Sequence, residues 1–239
     1  MKVSNQDVIQ GWSQLTDQEI EAFGDTGDFY RQYLLNPVLL KLLGDLKGKT
    51  ILDAGCGTGY LSRILAKKGA KMVGVEPADV LFKYSVAKEQ ADPLGIKYLQ
   101  QDLSKFHLQQ KFDVVVSNMV FMDIPEYEKA IDNCIASLKS QGAFIFSLSH
   151  PCFEDAGDEW EKNKQVTVRE YLKEYQVKRH RAYSFHRPLS AYINLVIERG
   201  CQIVKMIEPK LDEAVARDNS QAERDVHVPS FVIIHAIKK

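Results

Sequence analysis

Residues 51–59 read Ile51-Leu52-Asp53-Ala54-Gly55-Cys56-Gly57-Thr58-Gly59: a short apolar run that ends in an acid and continues at once into three alternating glycines. A backbone without Cβ atoms can turn tightly and lie close against a bound group, so this stretch predicts a strand followed by a loop built to hold something. Leu61, Ile64 and Leu65 then recur at helical spacing, and Lys67, Lys68 and Gly69 close the segment. Strand, glycine turn and helix therefore follow in order. Next, Lys71-Met72-Val73-Gly74-Val75 reads as a second strand that delivers Glu76 at its tip.

An acid about twenty residues beyond a glycine loop, at the end of the following strand, is where an α/β nucleotide fold places its partner for ribose hydroxyls. The nicotinamide fingerprint G-x-G-x-x-G needs its third glycine for close helix packing. Here that glycine comes one residue early, at Gly59, and Tyr60 holds the reserved position. An NAD(P)-dependent oxidoreductase is thus the poorer reading of the loop.

The chain resembles the class I S-adenosylmethionine-dependent methyltransferases, whose first motif looks like Asp53 to Gly59. The likeness continues in register through Glu76, Gln101-Asp102, Phe112-Asp113, the Leu138 to Phe146 segment and the terminal strand, across most of residues 37–239. More narrowly, Arg31 to Pro37 (RQYLLNP), Ser149 to Phe153 (SHPCF) and His186 to Ser190 (HRPLS) look like a group of bacterial small-molecule methyltransferases. The resemblance implies a Rossmann-like α/β fold: a seven-stranded, mostly parallel sheet whose last strand is antiparallel, with helices on both faces. It also implies S-adenosyl-L-methionine as methyl donor, S-adenosyl-L-homocysteine as product and a small-molecule acceptor. A binding protein that keeps the donor without transferring methyl is the remaining rival.

Length and composition agree with this outline. A chain of 239 residues with 45% apolar content can bury one substantial core. A formal charge of −1 provides no field for a polyanion, so no nucleic-acid partner is expected. The first twelve residues lack the apolar stretch of a secretory signal, and no run approaches the roughly eighteen apolar residues of a membrane span. A cytoplasmic protein without membrane attachment, monomer or homodimer, is expected. Cys56, Cys134, Cys152 and Cys201 are widely separated, with no metal-ligand spacing, so free thiols and no metal are expected.

Strands are predicted near Thr50–Asp53, Lys71–Glu76, Lys97–Gln100, Phe112–Ser117 and Gly142–Leu148, alternating with helices as a parallel sheet requires. Cys201–Ile207 and Phe231–Ile237 read as two closing strands. Ile124, Tyr127, Ile131, Cys134, Ile135 and Leu138 form a helical stripe whose first turn, with Asp123, Pro125 and Glu126, looks like a capping box. Pro188 opens and Gly200 closes a second helix with Leu189, Tyr192, Ile193, Val196 and Ile197 inward. Residues 1–36, with a Thr16-x-x-Glu19 capping signal, and residues 151–187 do not fit the alternation. They are expected to cover a cleft at the carboxyl ends of the strands: an N-terminal helical cover, and an insertion within the 37–239 domain. Glu208 to Val228 reads as a long polar connection.

The resemblance assigns Glu76 to both ribose hydroxyls, a charge-assisted pairing. It puts Gly55, Cys56 and Gly57 along the methionine and ribose side, and Pro77 beside Glu76. Asp102 takes the adenine amino group and Leu103 borders the ring; the residue-level alternative for Asp102 is a helix N-cap. Asp53 either orders the loop or reaches the methionine ammonium. Asn118 and Met119 end the fourth strand near the reacting methyl, without the Pro-Pro-aromatic sequence of enzymes that methylate adenine or glutamine amino groups. Arg31 and Tyr33, with Tyr30, either close over the methionine part or simply pack an N-terminal helix capped by Asp28. Trp12, Phe121 and Phe153 are candidate walls of an acceptor pocket. His150, just past the fifth strand, is either a proton acceptor in transfer or a hydrogen-bonded piece of the turn before Pro151. His186 and Arg187 are further candidates for acceptor contacts, Arg187 alternatively bracing Pro188 and its helix.

Overall fold

A computed structural model describes residues 3–154, 157–179 and 181–239; residues 1, 2, 155, 156 and 180, which fall in the two expected covers, lie outside the described residues. The strands are β1 (Thr50–Ala54), β2 (Lys71–Val75), β3 (Lys97–Leu99), β4 (Phe112–Asn118), β5 (Leu138–Ser149), β6 (Tyr175–Arg179), β7 (Ala182–His186), β8 (Cys201–Ile207) and β9 (Phe231–Lys238). Seven of them form one sheet in the order β3-β2-β1-β4-β5-β9-β8, while β6 and β7 pair as a separate antiparallel hairpin. β3 through β5 run parallel. β9 lies antiparallel between β5 and β8, so six strands share a direction and only the last opposes them. The chain order reverses between β1 and β4, and that switch point opens a crevice at the carboxyl ends of the strands.

The helices are α1 (Asn5–Trp12), α2 (Asp17–Glu21), α3 (Asn36–Leu43), α4 (Tyr60–Lys67), α5 (Asp79–Ala91), α6 (Tyr127–Ala136), α7 (Gly157–Asn163), α8 (Leu189–Glu198) and α9 (Glu213–Asp218). Alternate residues of the central strands feed two apolar layers. Leu52, Val115, Phe144 and Phe146 pack with Ile131 of α6 and Tyr192 of α8. Ile51, Val114, Val116 and Ile145 pack with Leu39 of α3 and Leu61 of α4. Strands covered on both faces read as continuous apolar runs, which is why they were visible in the sequence. None of the described helices is long and apolar enough to cross a membrane.

Four local expectations change. Helix α6 begins at Tyr127 with no side-chain cap from Glu126, and Phe121–Asp123 forms a separate 3-10 turn. Ile124 precedes Pro125, which disfavours helical backbone, and it is extended at φ −102° and ψ 116°. Leu138 belongs to β5 rather than to the α6 stripe, and Ile197 is half exposed while Leu195 faces the core. The Arg31–Leu35 segment is a π-helix that runs directly into α3, so the helix of the N-terminal segment continues into the 37–239 domain. The Asn36 backbone N–H donates to the Arg31 carbonyl, and Pro37 sits in the first turn, where no N–H is needed. Finally, the Glu208 to Val228 connection carries α9 and a 3-10 stretch, whose Leu211, Ala216 and Ala222 bury against Leu34.

Candidate active site

The glycine loop is held from both sides. Gly55 N–H and Cys56 N–H donate to the Val75 carbonyl at 2.8 and 3.0 Å, which ties the loop to the tip of β2. Gly55 adopts φ +78°, and a Cβ there would stand 2.6 Å from Val120 Cγ2, so glycine lets the loop pack against the segment after β4. Gly57, at φ +55°, differs: a Cβ added to it meets no atom within 4 Å, because that position faces open cavity.

Two buried carboxylates frame the loop. Glu76 Oε1 accepts from Ala78 N–H at 2.8 Å and Oε2 from Gly57 N–H at 3.0 Å. Burial outweighs those two bonds and lifts this carboxyl to about 7. Asp53 Oδ2 accepts from Ser62 Oγ at 2.7 Å, and burial raises its pKa to about 6. The same burial pushes the Cys56 thiol well up, so it stays protonated.

A cavity of roughly 990 Å³ of free space, part of it open to solvent, lies over this frame. Asp53, Gly55, Cys56, Gly57, Glu76 and Pro77 line it, as do Asp102, Leu103, Asn118, Met119 and Arg31. These sequence-selected residues are therefore brought together. Tyr33 is not; it is 42% exposed and packs against Phe29.

At the ends of β4 and β5 a buried polar chain forms the cavity floor. Tyr60 Oη donates to Asn36 Oδ1 at 3.2 Å and accepts from Asn118 Nδ2 at 2.7 Å. Asn118 Oδ1 accepts from Ser147 Oγ at 2.6 Å, and Ser147 Oγ accepts from Met119 N–H at 2.9 Å. Met119 is held at φ +63°, a conformation that costs a non-glycine residue about 1–3 kcal/mol and persists only where its surroundings impose it. Burial raises the Tyr60 phenol, so it remains a neutral donor. The sequence reading missed Tyr60, whose signal was its place directly after Gly59 at the start of α4.

The other end of the cavity is closed by α1. Asp102 Oδ1 accepts from Ser104 N–H at 2.8 Å, the turn contact of a capping acid. The Asn5 amide also donates to both Asp102 oxygens. Val8, Ile9 and Trp12 line the cavity beside it, and Trp12 packs in the cluster of Ala78 and Leu81, just past Glu76. Trp12 therefore belongs to the Glu76 and Asp102 side. Phe121 is fully buried in the core against Phe144 and Phe146.

Neither histidine lines the cavity. His150 is buried; its Nδ1 accepts from Cys152 N–H at 3.2 Å, its Nε2 meets Glu208 Oε1 at 3.0 Å, and its ring lies tilted against Phe153 with centroids 4.7 Å apart. Burial lowers its pKa despite that carboxylate. His186 is likewise enclosed, with Nδ1 on the Glu154 carboxylate, Nε2 donating to the Tyr171 carbonyl at 2.9 Å, and its ring flat against Tyr175. Arg187 donates to the carbonyls of Phe121, Ile124 and Pro125 and to Tyr192 Oη. It lies 4.0 Å over the Tyr127 ring. This buried guanidinium braces the cavity wall from behind. Among the described residues, none from 151–187 lines the cavity. Arg31 does, and its guanidinium pairs with the Asp28 carboxylate beside Phe23.

A family model described as a methyltransferase domain matches residues 28–206. Over 126 residues, 51% of this chain and 54% of the relative, the sequence is 35% identical to a ubiquinone biosynthesis O-methyltransferase of Coxiella burnetii; the match thus spans about half of that enzyme. The fold is that of an S-adenosylmethionine-dependent methyltransferase from Mesorhizobium loti, with a TM-score of 0.75 and 24% identity over 84% of this chain and 96% of that one. A proposed S-adenosylmethionine-dependent methyltransferase from Listeria monocytogenes gives a TM-score of 0.73 and 27% identity over 85% and 96%.

Proposed function

This chain belongs to the class I S-adenosylmethionine-dependent methyltransferases, and from that premise we propose that it carries a methyl group in line from the donor sulfonium to a small-molecule acceptor. The observation that carries the site assignment is the Glu76 carboxylate, buried at the tip of β2 and facing the cavity beside Gly57. Each of its oxygens accepts one backbone N–H and keeps one acceptor position for a ribose hydroxyl. The missing Cβ of Gly57 leaves open space where an adenosyl group would lie. Both features fit the donor.

When bound, the donor supplies a methyl group already activated by positive sulfur, and the chain's task is to hold, align and exclude water. Alignment of this kind is worth roughly 7–11 kcal/mol of barrier. Glu76 holds the ribose and Asp102 the base edge, with Leu103 and Pro77 beside them. Gly55, Cys56 and Gly57 shape the loop along the methionine side, where Asp53 and Arg31 face its charged groups. Asn118, fixed by Tyr60 and Ser147, sets the position of Met119 at the reacting end. No general base is assigned, because both histidines point away from the cavity and are occupied.

An oxygen acceptor is the first to test, given the likeness to an O-methyltransferase over half of its length. A cytoplasmic monomer or homodimer, without nucleic-acid or membrane partners, suits the near-neutral charge. Calorimetric titration with S-adenosyl-L-homocysteine and with NADH tests the reading. Binding of the former alone supports it; binding of NADH alone overturns it. Labelled methyl transfer into a cell extract, with mass identification of the product, then separates an enzyme from a protein that only keeps the donor.

A further inference from the structure

Asn5, the first residue of α1, is buried and spends its whole amide on other parts of the chain. Its Nδ2 donates to Ser104 Oγ at 2.8 Å and to Asp102 Oδ1 and Oδ2 at 3.2 Å each; its Oδ1 accepts from Glu126 N–H at 3.1 Å. That pattern fixes which end of the amide is oxygen, because a backbone N–H needs an acceptor and a carboxylate needs a donor. One side chain thus joins the N-terminal helix to the turn after β3 and to the start of α6, across 97 and 121 residues of sequence.

The consequence lies on Asp102. Its Oδ1 is filled by Ser104 N–H and Asn5, whereas Oδ2 takes Asn5 and otherwise has only Lys105 Nζ, 4.0 Å away. A carboxylate oxygen has two acceptor positions, so Oδ2 keeps one open, and Asp102 lines the cavity. Held this way, the carboxylate presents a single acceptor and no donor. It matches a ring amino group and opposes a ring carbonyl, which would set oxygen against oxygen.

We infer that Asn5 is a positioning residue that makes the donor site selective for an exocyclic amino group on the purine, by fixing the Asp102 carboxylate across the cavity. The inference rests on the proposed donor reading and adds to it the source of base selectivity. α1 is on this account part of the donor site and not a neutral cover.

The test is calorimetric binding of S-adenosyl-L-homocysteine and of S-inosyl-L-homocysteine, which carries oxygen where adenine has the amino group. The wild-type protein prefers the adenosyl ligand by about tenfold or more. Asn5→Ala weakens the adenosyl ligand about five- to tenfold, leaves the inosyl ligand within about twofold, and so collapses the preference. Asn5→Asp keeps an acceptor for Glu126 N–H but replaces the donor with a second carboxylate, and it collapses the preference too. Equal losses for both ligands would reduce Asn5 to a fastener of α1 and overturn the inference, as would unchanged binding of both. A wild-type protein that binds the two ligands equally overturns this inference alone; one that binds neither overturns the methyltransferase reading with it.

Discussion

Lowering the pH from about 8 to about 6 weakens binding of an adenosyl ligand roughly tenfold, through Glu76 alone. Before the ligand arrives, burial holds this carboxyl at about 7 although Ala78 and Gly57 donate to it. Ribose hydroxyls donate to the anion, so binding selects the ionised form and pulls the pKa down. A group titrating at about 7 is ionised to roughly nine parts in ten at pH 8 and one part in ten at pH 6, which is the tenfold. Near pH 7 binding expels about half a proton, readable as a buffer-dependent heat. Adenosine is the ligand of choice, since it has no methionine part and keeps Asp53, at about 6, out of the measurement. In Glu76→Gln the slope disappears. The same shift acts on folding: the folded pKa lies above the ordinary 4.5, so the folded chain holds the proton longer than the unfolded one. This stabilising term is full below about 4.5 and lost as pH rises through about 7, a change of about 3 kcal/mol. Wild type therefore loses stability relative to Glu76→Gln as pH rises. A flat wild-type binding profile, or a slope that survives in Glu76→Gln, refutes the assignment.

Two glycines of one loop should fail in different ways. Gly57→Ala places its methyl in open cavity, so the melting curve shifts by only the left-handed backbone cost of about 1–2 kcal/mol while S-adenosyl-L-homocysteine binding is largely abolished. Gly55→Ala drives a methyl into Val120 and adds about 1–3 kcal/mol of overpacking, so it unfolds more readily; the opposite ranking in paired melting and binding assays would show that the loop is misread. His150→Gln lowers stability by about 1–3 kcal/mol through its contacts to Glu208 and Cys152 and leaves donor affinity and transfer rate unchanged. A large loss of rate at unchanged stability would return His150 to the reaction.

The parts of this protein that could be read from sequence are those whose cause is local. Three glycines between an apolar run and a helical stripe, with an acid at the next strand's tip, require no distant partner to be recognised. The β6–β7 hairpin gave no such sign, because His180 and Arg181 between its strands are not turn formers and the strands mix charged, polar and aromatic residues. Asp123-x-x-Glu126 has the letters of a capping signal, yet Pro125 holds Ile124 extended and moves the helix start to Tyr127. Asn5 had no local signal, and the place of Tyr60 after Gly59 marked its position but not its role. Each acts through partners far along the chain, Asp102 for one and Asn36 and Asn118 for the other. The histidines were attractive for their chemistry, but burial between a carboxylate and the backbone consumes both nitrogens of each.

The two segments outside the strand–helix alternation divide the work of enclosing the cavity. α1 lines it, while the hairpin grips α1 from outside. A Cβ at Gly11 would stand 2.2 Å from the Arg181 carbonyl oxygen, so only glycine lets the helix lie against that turn. Arg187, from the same insertion, fastens the wall at Phe121, Ile124 and Pro125. The insertion thus acts on the donor end without touching it, by seating the helix that carries Asn5. Gly11→Ala must lift α1 away from the hairpin, since a backbone oxygen cannot yield as a flexible side chain would. Affinity for S-adenosyl-L-homocysteine and S-inosyl-L-homocysteine then falls, and the adenosyl ligand loses the more, because Asn5 moves with α1 away from Asp102. Amide exchange along α1 should quicken with it. Unchanged affinity for both ligands, with exchange quickened, would mean that α1 need not be seated for the donor to bind, and the buttress would lose its function.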